Sequence, residues 1–509
     1  MAEYIMLQGT SSHVGKSVLA AALCRIFLQE GKSVVPFKAQ NMALNSYVTA
    51  DGREMGRAQV AQAEAAGLEP TVDMNPVLLK PTGNSCSQVI IDGLSVGNMS
   101  AKEYHNGYAL EAFSAVQNAL SRLTKAYDTL VIEGAGSPAE VNLKTYDIVN
   151  MRVAKYLHAP VLLVADVDRG GSLAALVGTL ALLEEDERDL VKGLIVNKFR
   201  GDVSLFAPAV DFLEKKTGKP VLGVIPYIEN LNIDDEDSVS LEDKPADRQE
   251  GDLDIAVIRL PKISNFTDFD SLQGEGDVSL RYVREAADLG RPDVVILPGS
   301  KNTIEDMAWL QDSGMASALY QVLSAGAPVV GICGGYQMLG RYIYDPEHTE
   351  SSTEGIGGLD LLPIETTFTA GKTLAQVKGE CCGLPFLGQV LSAEGLEGYE
   401  IHMGHTADTE AGLLHPIVVT ERSQQACHVV HGTARRDGLV WGTYMHGIFD
   451  NDAFRRDFLN CLRRQKGLQP LAVRRNFRAE KQKSYDRLAA VVRAHLDMDT
   501  LRRIMAGRD

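Results

Sequence analysis

The chain has 509 residues, 45% of them hydrophobic and 23% charged, the balance of a soluble globular protein with room for two or three domains. A formal net charge of −17 argues against a broad nucleic-acid surface, so an anionic substrate must be met by local Lys, Arg or backbone N–H groups. The seven cysteines have no regular spacing and no CxxC pair, which reads as reduced thiols of a cytoplasmic protein and not as a disulfide frame or a zinc site.

The opening "MAEYIMLQGT" is a strand running into a loop; without a basic n-region or a long apolar core, neither a signal peptide nor a membrane span is expected. Over residues 1–232, short Val/Ile/Leu-rich runs alternate with helical stretches: "YIMLQG", "SVVPFK", "TLVIEGAG", "PVLLVADV", "GLIVNKF" and "PVLGVIP". That rhythm predicts α/β architecture, a doubly wound parallel sheet with helices on both faces. An acidic stretch without hydrophobic period follows, and residues 233–250 read as a linker. A second alternation over 251–460 ("LDIAVIRL", "PDVVILPGS", "APVVGICGG", "GLVWGTYMHG") predicts a second doubly wound sheet, and 461–509 is a basic helical tail.

The first chemistry sits in "LQGTSSHVGKS". A strand leads in and an Ala/Leu-rich helix leads out, the setting of a phosphate-binding loop. Five residues, Thr10 to Val14, separate Gly9 from Gly15, where the usual loop has about four. Gly9, Thr10 and Gly15 shape the loop, Lys16 reaches the outer phosphates of ATP, and Ser17 offers a hydroxyl to Mg²⁺. Glu133, at the end of "TLVIE", and Asp51, in "TADGREMG", are the acidic candidates for the same metal. Asn197, in "NKFRGD", follows another strand and is a candidate for contact with the base.

The second chemistry centres on Cys333 in "PVVGICGGYQMLG". A strand enters, a helix leaves, and glycines flank the thiol on both sides, which is a nucleophile elbow carrying Cys instead of Ser. The helix N-terminus favours thiolate. The Gly334 N–H, paired with that of Gly299 or Ser300 in "ILPGSKNT", can form an oxyanion site. His446 in "GTYMHGIFDND" is the expected base, preferred over His402 and His405 because it follows all the other strands of this half.

These motifs carry resemblances. The five-residue gap of "GTSSHVGKS" resembles the dethiobiotin synthetase branch of phosphate-loop enzymes, in which the triphosphate activates a carboxylate; that likeness implies that Lys38, in "PFKAQNM", holds the substrate carboxylate. Residues 250–460 resemble class I glutamine amidotransferase domains, whose Cys releases ammonia from glutamine through a thioester. Most members place a Glu two residues after the His, but here position 448 is Ile, so the imidazole must be oriented from elsewhere; Asp450 is the nearest acid in sequence. Across nearly the whole chain, "LQGTSSHVGKS", "PFKAQNMALNSYVT", "MNPVLLKP", "VIEGAGSPAEVNL", "ADVDRGG", "NKFRGD", "LPGSKNT", "GICGGYQMLG" and "YMHGIF" resemble the cobyric acid synthase family of the cobalamin pathway. The resemblance implies ATP- and glutamine-dependent amidation of adenosylcobyrinic acid a,c-diamide at its b, d, e and g carboxylates, with Lys38 and Asn41 as substrate residues. The partners it implies are a corrinoid, as substrate and not cofactor, and L-glutamine, with neither nucleic acid nor membrane. Cobyrinic acid a,c-diamide synthase, CTP synthase and a partitioning-type ATPase switch stand as alternative readings.

Overall fold

The computed structural model describes residues 2–83, 86–229, 231, 233, 241, 247–472 and 475–508. Most of the acidic linker expected over 233–250 lies outside the described residues.

Two of the three six-stranded sheets among the described residues are built from the alternating short apolar runs, as that alternation predicts. In the first, all strands are parallel, in the order Val221–Pro226, Val191–Phe199, Val161–Asp166, Glu3–Gly9, Thr129–Glu133, Val34–Phe37. The Glu3–Gly9 strand is central, with Leu7 beside Glu133 and Gly9 beside Val164. The phosphate-loop sequence and Glu133 therefore leave the carboxyl edge of the sheet side by side, where open α/β sheets bind ligands. The second sheet runs Val278–Val283, Leu253–Ile258, Val294–Leu297, Val329–Ile332, Val440–Thr443, with the short Thr433–Ala434 strand antiparallel at its edge. Strand residues of both sheets are buried on both faces, which is why they read as continuous apolar runs.

A long antiparallel hairpin, Ile364–Phe386 with Gln389–Asp408, projects from the second half onto the first. There Gln376 Nε2 donates to Tyr47 Oη at 2.8 Å and to Val48 O at 3.1 Å, both in a small hairpin of the first half, Ser46–Val48 with Glu54–Gly56. Glu54, fully buried, accepts from Lys80 Nζ at 2.9 Å and from the Nζ of Lys372 on the long hairpin. Burial alone would raise the Glu54 pKa; the two ammonium groups outweigh it and hold the carboxyl well below its usual range. Because the folded-state pKa is depressed, this contribution to stability is present above the ordinary carboxylate pKa and is lost as pH falls into the acid range. Glu54→Gln leaves two ammonium groups facing each other without a counter-charge, so a loss of about 3–5 kcal/mol is expected in denaturant unfolding at neutral pH. An unchanged midpoint would show that the halves are held without this cluster.

The tail returns to the first half. Helix Phe477–His495 sets Tyr485, Leu488, Ala489 and Val492 against Leu19, Leu23 and Ile26 of helix Lys16–Gln29, and Arg25 Nε bonds Asp486 Oδ1 at 2.8 Å. Each buried Leu, Ile or Val of this seam contributes about 1.5–3 kcal/mol. The preceding helix, Asp452–Gln465, runs through residue 460, so the expected boundary there falls inside one element.

Candidate active site

Helix Lys16–Gln29 begins at Gly15, whose left-handed conformation (φ 97°) turns the loop into the helix. A Cβ at Gly15 would stand 2.2 Å from Asn197 Nδ2, so this position needs glycine for both conformation and space. Asn197 Nδ2 donates to Val14 O at 2.8 Å, and Lys198 Nζ to His13 O at 2.6 Å and Asp166 Oδ2 at 2.9 Å. The Asn197 side chain thus braces the loop from the strand two places along the sheet. Thr10 N donates to Val164 O at 2.9 Å. Lys16 Nζ lies between Ser11 O (3.0 Å) and Gly136 O (3.1 Å), over the mouth of the loop.

Ser17 Oγ donates to Glu133 Oε1 at 2.8 Å, and Lys38 Nζ reaches the same oxygen at 3.0 Å. Gln62 Nε2 donates to Glu133 Oε2 at 2.6 Å, with Gln59 Nε2 at 3.5 Å. Asn41 Nδ2 donates to Gln59 Oε1 at 3.1 Å, which places Asn41 one step outward. A half-buried hydroxyl next to a buried carboxylate is a hard-oxygen pair, the donor chemistry that suits Mg²⁺. Asp51 is not part of it. Its side chain, 64% exposed, sits in the turn of the small hairpin and is engaged by Thr49 Oγ1 (2.5 Å) and Arg53 Nε (3.3 Å). The sequence reading missed Gln59 and Gln62, which face Glu133 from helix Arg57–Ala65, where Asp51 was expected. A cavity of about 380 Å³ opens beside this cluster, lined by Lys16, Lys38, Asn41, Met42, Ser137 and Leu143 among others.

Cys333 occupies the elbow between strand Val329–Ile332 and helix Gly334–Met338, with φ 52° and ψ −108°, a strained conformation for a residue with a side chain. Cys333 N donates to Thr443 O at 2.8 Å and Sγ to Ile401 O at 3.5 Å. A Cβ at Gly334 would lie 2.8 Å from Ser300 N, so glycine permits the close approach of these two backbones beside the thiol. Lys301 N bonds Lys262 O, and Gly299 faces Ser264 in the same two-stranded ladder. Antiparallel alternation then turns the Ser300 N–H out of the ladder and leaves Gly299 within it. This favours Ser300 with Gly334 over Gly299 as the oxyanion pair.

His446 is 1% exposed. Its Nδ1–H donates to Asp268 Oδ2 at 2.6 Å, while Nε2 faces the Cys333 thiol and has no other partner among the described residues. Asp268 lies in the short 3₁₀ turn Phe266–Phe269, and its Oδ1 accepts from Gly447 N at 3.1 Å. Burial alone would lower the His446 pKa; Asp268 and the thiol together raise it to about 10, so the imidazolium form is favoured. Asp268 is therefore the orienting carboxylate, and Asp450, the acid nearest in sequence, is not bonded to the ring. Asp450 is half-buried, and its carboxyl is pushed up to about 7 by desolvation. His405 is exposed. His402 lines the Cys333 cavity but stacks on Tyr444 (centroids 3.8 Å apart), and burial lowers its pKa to about 4. That cavity, about 40 Å³, is bounded by Cys333, Ser300, Lys301 and Glu350 of the second half and by Lys80 of the first.

Residues 5–241 match the model of the CobQ/CobB/MinD/ParA nucleotide binding domain, and residues 254–454 that of the CobB/CobQ-like glutamine amidotransferase domain. Full-length relatives share the order. The chain is 55% identical over 506 residues to a cobyric acid synthase of Pelotomaculum thermopropionicum (98% of this chain, 96% of that one). It is 54% identical to a cobyric acid synthase of Moorella thermoacetica (99% of this chain, 98% of that one) and 50% identical to one of Dehalococcoides mccartyi (99% of both). With both domains matched and identity sustained from end to end, the chain belongs to the cobyric acid synthase family.

Proposed function

We propose that this ligase amidates the b, d, e and g carboxylates of adenosylcobyrinic acid a,c-diamide, using ATP in the first half and ammonia from glutamine in the second. The observation that carries the reading is the shared cavity: the Cys333 pocket is walled by Lys80 of the synthetase half, so a thiol that frees ammonia opens toward the half that binds ATP. A triad completed by Asp268 also speaks against a partitioning switch with a relic thiol half.

In the second half, His446 and Cys333 form the thiolate–imidazolium pair. The thiolate attacks the glutamine amide carbon, and the Ser300 and Gly334 N–H groups receive the developing oxyanion. His446 gives its Nε2 proton to the leaving ammonia, and water then hydrolyses the thioester to glutamate. In the first half, a substrate carboxylate oxygen attacks the γ-phosphorus and ADP leaves, giving an acyl phosphate; ammonia displaces phosphate to form the amide. Lys16 draws the transferring phosphoryl charge. Mg²⁺, held by Ser17 and Glu133, would neutralise phosphate charge there. Lys38 and Asn41 hold the acceptor carboxylate in the larger cavity. On its rim Met42 and Leu143 expose apolar surface (55 and 42%), a face that suits the flank of a corrin. Among the described residues no helix is long and apolar enough to cross a membrane; the reading places the enzyme in the cytoplasm.

Incubation with the a,c-diamide, ATP and glutamine, followed by mass spectrometry, tests the assignment. Stepwise products are expected, each lighter by nearly one mass unit as carboxyl becomes amide. Turnover of the acid lacking the a and c amides, with the diamide untouched, would favour the diamide synthase instead. Lys16→Ala is expected to lower synthesis from either glutamine or ammonium by about 10²–10³-fold, the scale of losing one preorganised charge contact. Retained synthesis from ammonium would reject the nucleotide site.

A further inference from the structure

We propose that Asn45, contributed by the synthetase half, is a positioning residue for Asp268, so that the glutaminase triad is completed across the boundary between the halves. The inference rests on the glutaminase reading above.

The turn that carries Asp268 is four residues long, Phe266–Phe269, and so short a 3₁₀ segment has little intrinsic stability. It opens at Asn265, which is left-handed (φ 53°) and whose carbonyl accepts from Asp268 N at 3.1 Å. Two bonds from the synthetase half hold that opening. Asn45 Oδ1 accepts from Phe266 N at 3.2 Å, and Ser46 N donates to Asn265 Oδ1 at 3.2 Å. Asn45 is completely buried, and its own carbonyl accepts from Arg57 N at 3.3 Å. Tyr47, two residues on, packs against a ring that flanks the other side of the triad. The Tyr47 ring packs 5.5 Å from that of Tyr399, which stacks on the His446 imidazole at 5.0 Å and 13° and sends its hydroxyl toward Asp268 Oδ1 (3.4 Å). Asn265 Nδ2 donates to the same hydroxyl at 3.1 Å.

The segment is stiffened at both ends by one buried carboxylate. Lys38, before it, and Gln62, on the helix after it, both bond Glu133. A side chain on a braced element can fix a carboxylate within the tolerance catalysis needs, and a misplacement of about 1 Å can cost about 10²-fold. Nothing in this geometry brings Asn45 to glutamine or to the thiol; its reach to the triad runs through the turn that carries Asp268.

The full-length enzyme tests this with Asn45→Ala and the milder Asn45→Ser. Glutamine hydrolysis by Asn45→Ala is expected to fall about 10- to 100-fold in kcat, with KM for glutamine within about twofold. The ratio of glutamine- to ammonium-supported synthesis should fall in step. The alkaline limb of the hydrolysis profile should move to lower pH, because a loosened Asp268 holds the proton on His446 less firmly; a general weakening of the fold would leave that limb in place. An unchanged ratio and limb in an otherwise active Asn45→Ala overturn the inference while leaving the glutaminase reading intact. Equal loss of glutamine- and ammonium-supported synthesis in both variants also overturns it, since positioning predicts a glutamine-specific defect. Failure of the wild type to hydrolyse glutamine would remove the reading beneath it.

Discussion

Replacing Cys333 with alanine is expected to abolish amide synthesis from glutamine, by at least about 10⁴-fold, while synthesis from ammonium salt continues. The expectation follows from how the two chemistries are distributed. Cys333 stands in the strained elbow of the second sheet with its thiol between Ile401 O and the His446 ring, and it touches none of the groups that gather at Glu133. The alanine variant keeps the backbone turn, the Ser300 and Gly334 N–H groups and the Asp268–His446 pair; it lacks only the atom that forms the thioester. Ammonia supplied from outside bypasses that atom. The comparison is best made at mildly alkaline pH, where more of the ammonium is deprotonated and nucleophilic, following ADP release with glutamine and with ammonium chloride in parallel. Joint loss of both activities would refute the division of labour between the halves.

How far the sequence reaches is clearest from where the site residues lie along the chain. Gly15-Lys16-Ser17 and Gly331-Ile332-Cys333-Gly334-Gly335 are legible because each motif packs strand, turn and helix start into one contiguous stretch, and its chemistry depends on local backbone geometry. The two sheets are legible for the same kind of reason, since strands buried on both faces leave continuous apolar runs. Asp268 is not legible. It stands 178 residues before the histidine it orients, in a short 3₁₀ turn with no periodic pattern, and its only trace is indirect: Ile448 shows that a carboxylate has to come from elsewhere. Proximity in sequence pointed to Asp450, yet the chain turns at Gly447 and the nearer carboxyl does not bond the ring.

Asp51 stands apart from Glu133 for a related reason. The acidic residue of "TADGREMG" is by sequence a candidate for the same metal, but Thr49 and Asp51 bond each other and close a hairpin turn. The residues that do face Glu133 are Gln59 and Gln62, spaced to share one face of helix Arg57–Ala65, and neutral amides give no metal-site signal in a sequence. The tail shows the limit of amphipathic pattern. Tyr485, Leu488, Ala489 and Val492 fall on one helical face and announce a buried stripe, but the surface that buries it, helix Lys16–Gln29, lies at the opposite end of the chain.

Asp268→Asn is the substitution expected to cost most among residues that touch neither glutamine nor ATP. In the native site Asp268 accepts from His446 Nδ1–H at 2.6 Å, which fixes the tautomer and leaves Nε2 to exchange a proton with the thiol. An asparagine can present its N–H₂ to Nδ1 instead, forcing the proton onto the wrong nitrogen; at a Ser-His-Asp triad the corresponding change lowers kcat about 10⁴-fold. A thiol needs less help than a hydroxyl, so a loss of about 10²–10⁴-fold in glutamine hydrolysis is expected here. The pH profile gives an independent reading. Burial lowers the His446 pKa, and Asp268 with the thiol more than reverses this, to about 10. A raised pKa means that the imidazolium, and the ion pair it forms, is present below that value and is lost as pH rises through it. Removing the Asp268 charge therefore shifts the alkaline limb of the profile to lower pH, as well as reducing its height. Asp450→Asn serves as the control, a carboxyl close to the histidine in the chain but not on the ring, and should leave hydrolysis within about threefold. If Asp450→Asn erased hydrolysis and Asp268→Asn spared it, the orienting carboxylate would be Asp450. Ammonium-supported synthesis should survive in both variants, because neither carboxylate lies among the groups that receive ATP.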